Sequence, residues 1–207
     1  NLDHISIIEF GIASGGSLKY LESLKVKFEK KYKTEIRIFG FDTFEGMPKS
    51  ENVFDQLYDW KEGDYNADFN TVQSKLNYTK LIKGDIKDTI SYKLFNDYNI
   101  TNVLIVLFDL DYFTSTNNSF KIFEKSLSSN ILPRVGLFFD NLHSSSEISG
   151  EYYSIQKFNN ENIKSGKIIS RDFYLEKYDS RYYQYMNFNH KSFNVNYKKK
   201  QILWEGY

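Results

Sequence analysis

Six consecutive apolar residues, Val103-Leu104-Ile105-Val106-Leu107-Phe108, constrain this chain more than any other segment. A run without polar alternation has no face to give to water, so it belongs to a strand covered on both sides, as central strands of parallel sheets are. It ends on Asp109-Leu110-Asp111. Other apolar, β-branched runs alternate with amphipathic stretches along the chain, the pattern of βαβ units and an α/β fold with a mainly parallel sheet. The first strand is read at Ile5–Glu9 and is followed by a glycine-rich turn. A helix then starts near Ser17, whose side chain is expected to cap it. Its apolar positions Leu18, Leu21, Leu24 and Phe28 recur at helical spacing.

Further strands are expected at Ile36–Phe41, Thr79–Lys83, Val135–Phe139, Lys167–Phe173 and Gln201–Trp204. Helices are expected over roughly 69–76, 116–129 and 150–160. Residues 45 to 68 are polar and aromatic with weak periodicity and read as a long loop, a length usually tied to function in a folded domain. Trp60 and Tyr58 lie in it, suited either to covering a substrate or to simple packing. No repeat interrupts the pattern, so residues 1–207 form one domain, of a size that buries a sizeable core. The chain opens at Asn1 without methionine and almost on a strand, from which an N-terminal segment is expected to be missing.

Charge and cysteine usage exclude several classes. Lys plus Arg and Asp plus Glu are 27 each, so no overall field draws in nucleic acid or an acidic membrane. Lys198-Lys199-Lys200 reads as a solvated turn. There are no cysteines, hence no disulfides, thiolate metal site or cysteine nucleophile. No apolar run approaches the roughly 20 residues of a membrane span, and no export signal is visible. Cytoplasmic residence is expected.

Chemistry gathers at strand ends. Glu9-Phe10-Gly11-Ile12-Ala13-Ser14-Gly15-Gly16-Ser17 joins strand to helix. Glycines there permit positive φ and close approach of the backbone to a ligand. The spacing G-x-x-x-G-G differs from the G-x-G-x-x-G of dinucleotide sites. Glu9, two residues before the first glycine, suits a cationic ligand better than a pyrophosphate. Asp42 ends the second strand, where an acid can accept hydrogen bonds from both ribose hydroxyls of an adenosine.

Five segments then carry a resemblance. Asp42-Thr43-Phe44-Glu45-Gly46-Met47-Pro48 resembles the D-[ST]-F-E-G-[LM]-P signature of the macrocin O-methyltransferase (TylF-like) family. Gly84-Asp85-Ile86-Lys87-Asp88-Thr89, Asp109–Thr116, Leu132-Pro133-Arg134 and Phe139-Asp140-Asn141 are similar to further family segments in the same order. The resemblance implies a Rossmann-like class I methyltransferase fold, with a mainly parallel seven-stranded sheet and helices on both faces. It also implies S-adenosylmethionine as methyl donor. Gly11, Gly15 and Ser17 would line the methionine end with Glu9 nearby, and Asp109 would stand close to the cofactor. Asp42 would hold the ribose, Thr43 and Phe44 would border the adenosine, and Asp85 would sit near the adenine. Asp109, Asp140 and Asn141 would hold Mg²⁺, and Asp111 would be the general base.

Chemistry supports that assignment. A carboxylate and amide oxygen shell is what Mg²⁺ prefers, and a metal can lower the pKa of an acceptor hydroxyl. Three positions depart from the family pattern. Leu110 stands for a glycine, Thr114 for a Glu, and Asn141 for a second Asp, which removes one negative charge from the expected metal site. His143, two residues past Asn141, is a further candidate for catalysis. His4 and His190 have no nameable partner. The implied acceptor is a hydroxyl of a small molecule, a sugar or glycosylated metabolite, with no nucleic acid and no membrane as partner and self-association expected. Two alternatives stay open. An NAD-dependent oxidoreductase or sugar-nucleotide enzyme shares the glycine turn and Asp42 but normally carries a Tyr-x-x-x-Lys-type pair. A degenerate methyltransferase fold can also serve as a binding or assembly module.

Overall fold

The apolar runs become strands of one sheet in the order β3-β2-β1-β4-β5-β7-β6. The strands are β1 (His4–Phe10), β2 (Glu35–Asp42), β3 (Thr79–Lys83), β4 (Val103–Phe108), β5 (Ile131–Phe139), β6 (Lys167–Arg171) and β7 (Tyr182–Asn187). The structure is a computed structural model that describes residues 2–50, 52–55, 60–172 and 174–193. Strands β1 to β5 pair in parallel, and β7 is inserted antiparallel between β5 and β6. This departs from the all-parallel order of dinucleotide-binding sheets. The expected strand at Gln201–Trp204, the Lys198–Lys200 turn, Phe173 and Tyr58 lie outside the described residues. The seventh strand of the described sheet is Tyr182–Asn187.

The helices are α1 (Gly16–Tyr32), α2 (Phe69–Lys75), α3 (Ile86–Thr89), α4 (Tyr92–Asp97), α5 (Phe113–Ser119) and α6 (Gly150–Asn162). Helix α5 is shorter than the expected 116–129, because the chain tightens into 3₁₀ turns at Phe120–Phe123 and Lys125–Leu127. Ser17 does not cap α1. Gly15 occupies the cap position with a left-handed backbone, and the Ser17 hydroxyl turns to Glu9. The other end of α1 closes on Lys33, also left-handed, whose N–H donates to the Glu29 carbonyl.

The abundant phenylalanines are core residues. On one face Phe10, Phe41, Phe108 and Phe139 pack against α4, α5 and α6, with Phe108 and Phe139 stacked at 4.6 Å. On the other face α1 and α2 cover β1, β2 and β3 through Leu18, Val72 and Leu76. That layer does not extend fully over β4, so Ile105 is 37% exposed. The central strand is therefore less completely covered than its composition predicts. Among the described residues no helix is long and apolar enough to cross a membrane.

Candidate active site

Strands β1, β2 and β4 end in a stitched seam. The Asp109 N–H donates to the Phe10 carbonyl at 2.9 Å and the Gly11 N–H to the Phe41 carbonyl at 3.0 Å. Gly11 turns the chain at φ 81°, where a Cβ would stand 1.9 Å from the Asp109 carbonyl oxygen. The strands approach this closely because residue 11 has no side chain. Asp42 fixes the turn from β2. Its Oδ2 accepts the backbone N–H groups of Ile12 (2.6 Å) and Ala13 (3.1 Å), and its Oδ1 accepts that of Phe44 (2.7 Å). A carboxylate has roughly four acceptor positions, so Asp42 can still receive a ligand hydroxyl while shaping the turn.

Four carboxyl groups share this edge. Glu9 is buried, accepts the Ser17 hydroxyl at 2.5 Å through Oε1, and leaves Oε2 without a hydrogen bond. Burial pushes its pKa up to about 8 against the Ser17 hydrogen bond, with Asp109, Asp140 and Asp42 adding to the rise. Asp109 is held at about 6, by burial first and the Asp140 charge second. Among the described residues neither Glu9 nor Asp109 is paired with a cationic side chain. A positively charged ligand at such a site lowers both pKa values and draws the carboxyls into their charged forms.

Asp111 lies past the end of β4, nearly buried, in a left-handed conformation at φ 56°. Leu110, standing where the resembling family has glycine, keeps an ordinary φ, and the left-handed residue of the turn is Asp111 instead. The expected metal ligands have other partners. Asn141 directs its Nδ2 to Asp109 Oδ1 at 3.0 Å, presenting a donor rather than an oxygen. Asp140 Oδ1 accepts Arg181 Nη1 at 2.7 Å, and Arg181 is itself held by Asp179 through Nε and Nη2. Among the described residues no group of three or more His, Asp or Glu side chains is arranged to hold a metal ion. With a guanidinium already on Asp140 and an amide in place of the third carboxylate, these residues do not fit Mg²⁺.

The seam opens into a cleft of about 610 Å³, within the range of small-molecule sites. Glu9, Gly11, Ser17, Asp42, Thr43, Asp85, Asp109, Asp111, Asp140 and Asn141 line it, which joins residues that the sequence spreads over strands one to five. Two expected cofactor residues stand behind it. Phe44 packs edge-on against Phe69 in the core, and Gly15 backs onto Val72. Asp85 caps α3 by accepting the Lys87 N–H. His143 faces an adjoining hollow of about 460 Å³ with Trp60, Asp140, Asn141 and Ser144. Described residues of the long loop are docked onto the domain. Asp55, buried within it, accepts the Thr114 N–H at 2.8 Å, and the Gly150 N–H donates to the Phe54 carbonyl. Arg181, Asp55 and Glu151 escaped sequence reasoning because each acts through a partner far along the chain.

Seven strands with an antiparallel β7, a glycine turn after β1 and an acid ending β2 define a Rossmann-like methyltransferase fold. Among solved structures, the calicheamicin methyltransferase CalS11 matches at 18% identity over 89% of this chain and 72% of that one, with a TM-score of 0.62. The O-methyltransferase NovP matches at 11% identity over 88% and 71%, with a TM-score of 0.61. An apo form of CalS11, described as a TDP-rhamnose 3'-O-methyltransferase, matches at 17% identity over 89% and 72%, with a TM-score of 0.52. No protein-family model matches the chain. No curated protein matches it by sequence. These likenesses carry the fold and do not single out the macrocin O-methyltransferase family.

Proposed function

We propose that this protein transfers a methyl group from S-adenosylmethionine to a hydroxyl oxygen of a small molecule, with sugars and glycosylated metabolites as the acceptor class. One observation carries the reading: Glu9, buried, and Asp109, open to the cleft, stand beside a glycine turn with no cationic side chain paired to either among the described residues, at the edge where open α/β sheets bind ligands. A sulfonium and an ammonium group supply the missing charge, whereas a pyrophosphate adds more of the wrong sign. That chemistry favours S-adenosylmethionine over a nicotinamide dinucleotide.

The bound cofactor supplies an electrophilic methyl whose sulfur leaves as a neutral thioether. The chain's own residues do the rest. The Gly11 turn gives the methionine end close backbone contact, and Asp42 accepts from the ribose. Asp111 takes the acceptor's proton as its oxygen bonds to the methyl carbon. The hollow between Trp60 and His143 receives the remainder of the acceptor, where His143 offers a polar contact. Holding oxygen, carbon and sulfur in line is the main work left to the cleft. Mg²⁺, which the family resemblance implies, has no part in this scheme, because Arg181 and Asn141 engage the groups that would bind it.

The test is calorimetric titration with S-adenosylhomocysteine, followed by transfer of labelled methyl from S-adenosylmethionine to a sugar panel that includes TDP-rhamnose and free rhamnose. Micromolar binding and a labelled sugar are expected. Absence of binding to either form of the cofactor refutes the reading.

A further inference from the structure

Glu151 has no role in the scheme above, yet it is wholly buried at the second position of α6. Its Oε2 accepts the Asn141 backbone N–H at 3.1 Å, and the Leu110 N–H also favours its carboxylate. Oε1 has no hydrogen bond. The two amides belong to different loops, one leaving β4 with Asp109 and Asp111, the other leaving β5 with Asp140 and Asn141. A second contact closes the bracket. The Glu151 N–H donates to Ser145 Oγ at 3.1 Å, and the Ser145 hydroxyl donates to the Asn141 carbonyl at 3.0 Å. The first turn of α6 thus holds the Asn141 N–H directly and its carbonyl through Ser145.

A buried carboxyl with an unpartnered oxygen is costly, and nothing in the packing of α6 against α5 requires one. The adjacent turn is also strained: Asp111 is left-handed without being glycine. Such a turn persists only where its surroundings hold it.

We propose that Glu151 is a positioning residue that straps the β4 and β5 exit loops together, setting Asp111 against the Asp140-Asn141 corner from beneath the cleft. This rests on the methyl-transfer reading for its functional meaning but not for its geometry. What the strap needs is an acceptor oxygen of the right reach. Burial, and then the neighbouring Asp111, raise the carboxyl's pKa well above its ordinary value, so an uncharged amide of the same shape is a fair replacement.

The experiment compares wild type, Glu151→Gln and Glu151→Met. Amide exchange at Leu110 and Asn141, resolved by NMR, needs no methyl acceptor. Glu151→Met is expected to exchange at least fivefold faster at both amides, while Glu151→Gln stays within about twofold of wild type. In methyl transfer, Glu151→Met loses at least tenfold in kcat with S-adenosylhomocysteine affinity within threefold, and Glu151→Gln restores kcat. If Glu151→Met does not fold, Ser145→Ala removes the acceptor of the Glu151 N–H and the donor to the Asn141 carbonyl, and must speed exchange at the Glu151 and Asn141 amides while leaving Leu110 unchanged. Unchanged exchange in the Met or Ala variant overturns the strap, as does a Gln variant as impaired as Met. A wild type that binds no cofactor yet shows the exchange pattern refutes the methyl-transfer reading and leaves the strap standing.

Discussion

The Arg181 guanidinium stands 2.7 Å from the Asp140 carboxylate, at the corner of the cleft where the family resemblance places a divalent cation. The guanidinium also lies 4.7 Å from the Phe138 ring centre, which fixes its plane. A bound Mg²⁺ at Asp140 would have to displace it or tolerate a like charge at contact distance.

Metal removal is therefore expected to matter little. Cofactor affinity and turnover should change by less than about twofold between buffers with Mg²⁺ and with EDTA, measured by calorimetry and initial rates. A tenfold loss in EDTA that Mg²⁺ restores would contradict the arrangement. Replacing the guanidinium in Arg181→Met leaves Asp140 partly buried and unpaired, so Mg²⁺ dependence should rise in that variant.

Asp111→Asn keeps the shape of the turn and removes the proton acceptor. Turnover should fall roughly 10²- to 10⁴-fold, the usual weight of a positioned base. Affinity for S-adenosylhomocysteine should stay within about threefold. Equal losses in affinity and rate would assign Asp111 to the binding of the cofactor instead.

The acids give a pH signature. Glu9 is raised from 4.5 to about 8 and Asp109 from 3.8 to about 6. Folded protein without cofactor therefore holds protons that the unfolded chain has released. These groups contribute their full stability below pH 4, and it is lost as pH rises through 6 and then 8. A cationic ligand lowers both pKa values, so S-adenosylmethionine should bind with proton release and more tightly as pH climbs from 6 to 8. S-adenosylhomocysteine, lacking the sulfonium charge, should show a weaker trend. Calorimetry in buffers of different ionisation enthalpy counts the protons. An affinity that is flat over that range would mean the acids do not sense the ligand.

Gly11→Ala places a methyl 1.9 Å from the Asp109 carbonyl oxygen in a left-handed turn. The seam must open to admit it. A loss of at least about 1–3 kcal/mol is expected from the backbone alone, seen as a drop of several degrees in Tm. Cofactor binding should weaken with it. An unperturbed Tm would show that the strands can separate at no cost.

Legibility in the sequence followed the range of the interactions. The strands Thr79–Lys83 and Val103–Phe108 were readable to the residue, the second because its central place in the sheet leaves an unbroken apolar run. The glycine turn and the acids ending β1, β2, β4 and β5 were readable from their spacing. Strand β7 was not: Tyr183 and Tyr185 point into the core, yet Tyr182 and Met186 on its open face are also apolar, which blurs the alternation. Helices α3 and α4 were missed because four and six residues carry too little periodicity to recognise. Phe44 sits in a signature that borders the adenosine in the resembling family, and only the fold reveals that it faces the core. Glu151 looks in sequence like an ordinary first-turn acid favoured by the helix dipole. Its burial is decided by loops ending near residues 110 and 141.

The antiparallel sense of β7 also sets an order of assembly. A strand running against β5 brings its start, not its finish, to the ligand edge, and Arg181 immediately precedes Tyr182 there. Asp140 emerges from the ribosome before the residue that pairs with it, which comes 41 positions later. A nascent chain that has paired β1 through β5 thus holds a crowd of like charges. The returning hairpin of β6 and β7 pairs the last of them, Asp140, through Arg181. Completion of the edge is in this way tied to nearly the whole described chain, and partly folded forms are denied a finished pocket.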